Sequence, residues 1–330
     1  MKERLLDFIC CPACKGGLEL KAVKKSGDET IEGSLVCGCG EVYPIINSIP
    51  RLLKGFDAAT ARAQARTQKS FGYQWTKFSQ MSCDFRENFL NYAYPLDENF
   101  FKGKTGLDAG CGFGRHIYNA AKFGAEMIGL DFSAAIESSY ENTKGMPNVH
   151  LVQGDIYNPP FKPGVFDFVY SIGVLHHLPN PQKGFKSLAP CARKGGQIFI
   201  WVYSSKRRFL MTILESLRGL TSRIPFYMLK NICFMAALFE WIFFIIPYKA
   251  LSKNKFTARF LAARIFSRIK MYSCYPFQVS YADWFDRLSA PIRFYYNDRQ
   301  IEKWFREAGL KNVRISETGS YGLRSIGEKI

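Results

Sequence analysis

A doubly wound α/β domain is the fold class this sequence predicts, preceded by a small cysteine-bearing module and interrupted by a long helical insertion. Three observations carry that expectation. Residues 101–202 alternate short apolar runs with helical stretches, the pattern of a parallel sheet wrapped by helices. Leu107-Asp108-Ala109-Gly110-Cys111-Gly112-Phe113-Gly114-Arg115 sets three alternating glycines between an apolar run and a helix. A backbone there can turn sharply and approach a ligand closely, which a Cβ would prevent. Two close cysteine pairs, Cys11/Cys14 and Cys37/Cys39, lie within the first 55 residues.

Composition bounds the rest. With 330 residues, 47% of them apolar and 15% aromatic, the chain can build two domains, or one with insertions. Met1-Lys2-Glu3-Arg4 leads into cysteines rather than an apolar leader, so a cytoplasmic, reducing environment is expected. There, paired cysteines hold metal more often than they form disulfides. The net charge of +17 is uneven: residues 203–296 hold 15 Lys and Arg against 4 acids, or +11. A local excess of that kind suggests one surface with an anionic partner.

In chain order, residues 1–55 form the first module. Its two thiol pairs, each on a tight turn, can converge four sulfurs tetrahedrally on zinc. So small a module needs such a staple to fold. Residues 56–100 read as a helical connector containing Phe71-Gly72-Tyr73-Gln74-Trp75. These aromatics either pack a helix on the core or cover a ligand from the N-terminal side. Strands are expected at Thr105–Ala109, Met127–Asp131, Val149–Gln153, Phe166–Ser171 and Gln197–Tyr203. Helices are expected near 115–123, from Ser133 as N-cap, and near 181–193. After an insertion, the chain returns to the sheet with a helix capped by Asn297 or Asp298 and ended by Gly309. Strands near 312–317 and 322–328 close it.

In an open α/β sheet, ligands bind beyond the carboxyl ends of the strands. The distinctive polar residues fall there: the glycine loop after strand one, Asp131 after strand two, Gly154-Asp155-Ile156 after strand three, and Ser171 through His176-His177 after strand four. A Gly-x-Gly-x-Gly spacing with Asp108 in front departs from the dinucleotide fingerprint, and no P-loop motif is present. The pattern resembles the class I S-adenosylmethionine-dependent methyltransferases, of the small-molecule, type 11-like kind. It covers residues 101–204 and 297–330. The resemblance implies a Rossmann-like, seven-stranded sheet and S-adenosylmethionine as methyl donor. It assigns cofactor contacts to Asp108, Gly110, Cys111, Gly112, Gly114, Asp131, Phe132, Asp155, Ile156 and Ser171. Asp131 would take the ribose hydroxyls and Asp155 would lie beside the adenine. His176 and His177 are the neutral-pH candidates for an acceptor proton, against a reading in which they only shape the pocket. Residues 1–55, including the trailing Tyr43-Pro44-Ile45 and Ile49-Pro50, resemble the short zinc-ribbon proteins that activate methyltransferases. That implies structural Zn²⁺ on Cys11, Cys14, Cys37 and Cys39, with Cys10 a spare thiol.

The insertion, residues 205–296, is expected to be a helical, basic and apolar cap that selects the substrate. Lys206-Arg207-Arg208 opens it, before Phe209-Leu210-Met211. The apolar runs Ile232–Phe239 and Trp241–Ile246 are broken by Glu240 and ended by Pro247, which favours a cap helix over a spanning one. Lys249, Lys253, Lys255, Arg259, Arg264, Arg268 and Lys270 alternate with apolar residues, as in helices that lie on anionic membranes or simply face solvent. Aromatic candidates for acceptor contacts are Phe71, Trp75, Tyr203, Tyr281 and Tyr295. The function expected is methyl transfer to a small or lipid-linked acceptor, sugar- or quinone-like, with peripheral membrane contact through 205–270 left open. Two alternatives stand beside it: an RNA methyltransferase using ribbon and basic cap, and a non-catalytic scaffold.

Overall fold

The computed structural model describes residues 1–53, 58–207, 218–219, 221, 224–261, 263, 266–318 and 322–330. Arg208 to Met211, Arg264 and the first residues of the connector, 56–57, therefore lie outside the described residues. The chain divides into two compact units. One comprises Met1–Ser79, Phe85–Lys206 and Ile292–Ile330; the other comprises Gln80–Asp84 and Arg207–Pro291.

The first unit is built on one mixed sheet. Its strands are β1 (Leu18–Ser26), β2 (Glu29–Cys37), β3 (Val42–Ile46), β4 (Ile49–Leu52), β5 (Thr105–Ala109), β6 (Glu126–Asp131), β7 (Val149–Gly154), β8 (Phe166–Ile172), β9 (Ala192–Tyr203), β10 (Leu310–Thr318) and β11 (Gly322–Lys329). They lie in the order β1-β2-β3-β4-β7-β6-β5-β8-β9-β11-β10. The strands β7, β6, β5, β8 and β9 run parallel, and β11 runs antiparallel between β9 and β10. The seven strands β5 to β11 are those the sequence announces.

The sheet does not stop there. Strand β4 of the cysteine module pairs in parallel with β7, Arg51 opposite Gln153 and Leu52 opposite Gly154, so the expected seven strands become eleven. A bare edge strand exposes a row of unpaired N–H and C=O groups, and β4 covers that row. The module also shares a buried apolar cluster with the sheet. Phe8 stacks on Phe166 at 6.0 Å, and backbone bonds run from Lys162 N to Phe8 O (2.9 Å) and from Cys10 N to Pro160 O (3.0 Å).

Alternation along the central strands feeds two cores. Leu107, Ile128, Val152 and Val169 join one buried cluster; Met127, Leu151, Phe168 and Tyr170 join the other. Both faces are covered, which is why these strands read as near-continuous apolar runs. The returning helix, Asp298–Glu307, starts with a capping box in which Asn297 and Gln300 each accept the other's backbone N–H. The N-cap position falls on Ala134 rather than Ser133, before helix Ala135–Thr143, but the Ser133 hydroxyl still caps it: it accepts from the Ala135 N–H (3.2 Å) while donating to Asp131 Oδ1 (2.7 Å).

The second unit is helical, as the insertion's composition implies. Helix Phe226–Glu240 continues through a π-helical turn, Trp241–Ile245, into helix Ile246–Leu251. Pro247 thus fails to end the helix, contrary to expectation. Proline lacks an N–H and crowds the carbonyl one turn before it, and the wider π turn just ahead accommodates both. Leu229, Cys233 and Ala237, spaced by four, form the buried stripe of this helix, which packs against helix Phe277–Ser289.

Candidate functional site

The glycine loop sits between the end of β5 and helix Arg115–Lys122. Gly110, Gly112 and Gly114 all have positive φ, at 90°, 55° and 94°. At Gly110 a Cβ would come within 2.5 Å of the Val174 side chain, and at Gly114 within 2.8 Å of the Ser139 hydroxyl. Both positions therefore exclude side chains on two grounds, conformation and space. The Gly110 and Cys111 N–H groups donate to Leu130 O (2.7 and 3.1 Å), which fastens the turn to β6.

Asp131 ends β6 and grips the same turn. Its Oδ2 accepts from the Gly112 N–H (2.9 Å), and its Oδ1 accepts from the Ser133 N–H (2.8 Å) and hydroxyl. Burial raises its pKa, and these donors oppose the rise. Behind the turn lies Asp108, 1% exposed, whose pKa burial pushes up to about 8, with the Tyr170 hydroxyl lowering it and Asp131 adding to the rise.

Linkage turns that shift into a prediction. The unfolded chain releases this proton near pH 4 and the folded protein near pH 8, so stability falls as pH climbs between them. One proton corresponds to at most about 1.4 kcal/mol per pH unit. Asp108→Asn is expected to raise Tm relative to the parent at pH 8 and not at pH 4, as read by calorimetry.

The segment from Phe71 to Trp75 comes over this loop. The Trp75 ring stacks on Phe113 (4.7 Å, 24° between planes), and its Nε1 lies 3.6 Å from where a Cβ on Gly112 would stand. Gln68 Nε2 donates to Phe132 O (3.1 Å), which fixes the backbone just past Asp131. Asp155 caps the turn after β7, accepting from Tyr157 N (2.9 Å), with Ile156 buried beside it. Two expected contact residues serve the scaffold: Ser171 donates to Ala109 O (2.8 Å), joining β8 to β5, and the Cys111 thiol is buried, with a pKa that burial raises.

Next to the loop, β8 and β9 bring an aromatic group together. His176 lies with its ring centroid 4.0 Å from Tyr203 and 4.2 Å from His177; Phe71 is 5.0 Å from His177, and Tyr295 stacks over Tyr203 at 5.8 Å. His176 is fully buried, and among the described residues neither ring nitrogen has a hydrogen-bond partner. Burial, then the nearby His177 and Arg293, drives its pKa well below the usual histidine value, so it is neutral at pH 7. His177 Nδ1 is 2.7 Å from Ile292 O, a bond that orients its ring. Tyr281 belongs to the helical unit, where its hydroxyl donates to Lys230 O (3.1 Å).

Sequence reasoning passed over three residues here. Arg293 sits 5.2 Å over the Tyr203 ring, Val174 walls off Gly110, and Arg51 reaches Gln153 Oε1 (3.2 Å) and pairs with Glu137. Gln153 in turn donates to Phe132 O (3.2 Å). Only the aromatic spacing at Tyr295 hinted at the first; the others depend on pairings distant in sequence.

The four cysteines of the first module converge. Their Sγ atoms all lie within 4.8 Å of one another, with Cys14–Cys37 at 3.4 Å and Cys11–Cys39 at 3.8 Å. Four sulfurs at about 2.3 Å from a tetrahedral zinc would be about 3.8 Å apart, so the set fits that ion. Lys15 and Gly40, both with positive φ, turn the two knuckles. Burial raises the Cys11 thiol's pKa, but the Tyr43 hydroxyl and the N–H groups of Cys14 and Ala13 bring it down to about 6, which favours a thiolate. Cys10 is buried apart from this cluster.

The cofactor expected from the glycine loop also fits. Its cradle holds three glycines with positive φ, one carboxylate at the end of β6, and a buried carboxyl oxygen, Asp108 Oδ2, without a hydrogen-bond partner among the described residues.

Comparison with known proteins agrees with two segments of the chain. The family model "Methyltransferase domain" matches residues 107–200, and "Trm112p-like protein" matches residues 2–48. Tocopherol O-methyltransferase of Arabidopsis thaliana is 35% identical over 120 residues, covering 34% of this chain and 34% of that protein. The ubiquinone biosynthesis O-methyltransferase of Photorhabdus laumondii is 30% identical over 130 residues (38% and 53%). The tRNA U34 carboxymethyltransferase of Mannheimia succiniciproducens is 30% identical over 131 residues (36% and 39%). The chain spans about half the length or less of the first curated relatives it matches. It therefore carries a methyltransferase domain of the S-adenosylmethionine-dependent class, joined in one sheet to a Trm112p-like module with a four-cysteine cluster.

Proposed function

We propose that this chain methylates a small or lipid-linked acceptor of quinone- or sugar-like character, using S-adenosylmethionine. The observation that supports it most is the three-glycine turn at Gly110–Gly114 held by Asp131, beside an aromatic group that holds a neutral histidine. The sulfonium donor supplies a methyl group on an already activated leaving group, so the protein's task is alignment, worth about 7–11 kcal/mol when geometry is good. Asp131 would hold the ribose hydroxyls through charge-assisted bonds. Asp155 and Ile156 would border the adenine, and Asp108 would face the cationic methionine end, whose charge would draw off the proton that burial holds on it. Phe71, Tyr203 and Tyr295 offer ring faces to a flat acceptor. With an O- or N-acceptor, a lone pair of neutral His176 would take the acceptor's proton as the acceptor–methyl bond forms and the methyl–sulfur bond breaks, its electron pair leaving on the sulfur of S-adenosylhomocysteine. The tocopherol and ubiquinone enzymes among the relatives favour such an acceptor.

A second reading, an RNA acceptor, draws on the +11 charge of residues 203–296 and on the tRNA enzyme among the relatives. Long apolar runs within that charge suit a wet phosphate track poorly. The two separate in one assay. Purified protein is incubated with methyl-labelled S-adenosylmethionine and either a bacterial lipid extract or total RNA. Label in the organic phase is expected. Label in RNA, together with filter binding that weakens steeply with salt, would replace the first reading by the second. His176→Ala is expected to lower kcat about 100-fold and flatten the acid limb of its pH profile, with donor affinity unchanged. An unaltered kcat would leave His176 a wall of the pocket.

A further inference from the structure

Among the described residues, nothing packs on one apolar face of the helical unit. Helix 226–251 is 26 residues long, and its mean hydropathy and length would suffice to cross a membrane, yet only 22% of its apolar window is buried. Met228, Ile232, Met235, Phe239, Ile242 and Ile246 follow one another at spacings of three and four, and each is 44–61% exposed. That spacing aligns them on one stripe. It lies opposite the buried stripe of Leu229, Cys233 and Ala237, which meets helix 277–289. On the following helix, Phe256 and Phe260, four residues apart, are 91% and 71% exposed. Soluble monomers rarely leave so much contiguous apolar surface uncovered.

The charges around this face are of one sign. Residues 241–282 contain no acidic residue and seven Lys and Arg. Lys253, Arg259 and Lys270 are exposed. Glu240, the one acid within the helix, is turned inward. It accepts from Ser280 Oγ (2.7 Å) and Trp284 Nε1 (2.9 Å) and pairs with Arg268 (3.0 Å).

We propose that this face is a docking surface for an anionic phospholipid bilayer, in which helix 226–251 lies in the plane of the headgroups with its outer stripe among the acyl chains. The observations favour lying over spanning. A spanning helix needs apolar surroundings on every side, whereas the inner flank of this one carries a carboxylate that meets a guanidinium and a hydroxyl in a hydrogen-bonded group. The cations then meet the negative leaflet, and Phe256 and Phe260 add a second anchor. The inference stands apart from the methyltransferase reading, because bilayer binding requires no donor and no turnover.

The test uses the full-length chain and vesicles of phosphatidylcholine alone or with 30% phosphatidylglycerol. Sedimentation is expected to bring the protein down with the anionic vesicles, and binding should weaken more than about tenfold without the anionic lipid or in 0.5 M salt. Met235→Ser/Phe239→Ser/Ile242→Ser should reduce binding at least about tenfold while zinc content and donor affinity match the parent, which separates lost docking from lost folding. Equal sedimentation with both vesicle types, or none with either, would overturn the proposal. So would a parent dimer that the triple variant converts to monomer, since a second copy would then be the occupant. Resistance to alkaline carbonate extraction from membranes would overturn it in favour of a spanning helix.

Discussion

Asp131→Ala is expected to weaken S-adenosylmethionine binding by at least about 100-fold, measured by titration calorimetry, while the sheet stays folded. The reasoning starts from the geometry of the carboxylate. One oxygen already holds the middle of the glycine turn through the Gly112 N–H, the other holds the chain just past β6 through Ser133, and in the proposed complex they would also meet two ribose hydroxyls. Hydrogen bonds to a charged group contribute about 1.5–3 kcal/mol each, so losing two costs about two orders of magnitude or more. The Gly110 and Cys111 bonds to Leu130 remain, so the turn keeps its seam to β6. Asp131→Asn separates the two duties. It retains one of the two backbone acceptors, sets an NH2 group against the other N–H and loses the charge, and should lower Tm by no more than Asp131→Ala does while binding the donor poorly. Parent-like affinity in both variants would remove Asp131 from the binding site.

Removing the metal is the second large perturbation. The protein as purified is expected to carry one zinc per chain, and prolonged chelation or Cys37→Ser should strip it. Apparent zinc affinities of thiolate sites correspond to about 10–16 kcal/mol of folding free energy in small modules. Here the module also rests on a shared apolar cluster, through Phe8, Leu35, Tyr43 and Leu52, so collapse is opposed by packing. A drop of roughly 10 °C in Tm is expected, since each kcal/mol shifts a protein of this size by about 2–4 °C. Arg51 would release Gln153, and with it the backbone of Phe132, so donor affinity should fall as well. Zinc far below one equivalent, or an unmoved Tm after chelation, would contradict the site.

Much of this architecture was written locally. Each central strand is a short apolar run closed by a residue that cannot continue it, and the structure places Thr105–Ala109 where the sequence does. The glycine turn and the cysteine pairs were equally legible, because each depends on residues a few positions apart. What stayed hidden depends on partners far away in the chain. The β4–β7 pairing rests on two residue pairs about 100 positions apart and has no signature in either strand. Ser133 had the right chemistry for an N-cap and its hydroxyl does accept from the Ala135 N–H, but the bond it also gives Asp131 was not legible and the cap position itself moves to Ala134. Pro247 looked like a terminus because the π turn that absorbs it leaves no mark on composition.

The seam between β4 and β7 has a consequence for how this protein behaves on dilution. A free module of the same shape would have to find the sheet by diffusion, and the pair would part at low concentration. Here the two are tethered, so their meeting is intramolecular and the complex cannot dissociate into separate molecules. The rim of the catalytic sheet is also already taken, leaving no vacancy for a competing ribbon supplied in trans.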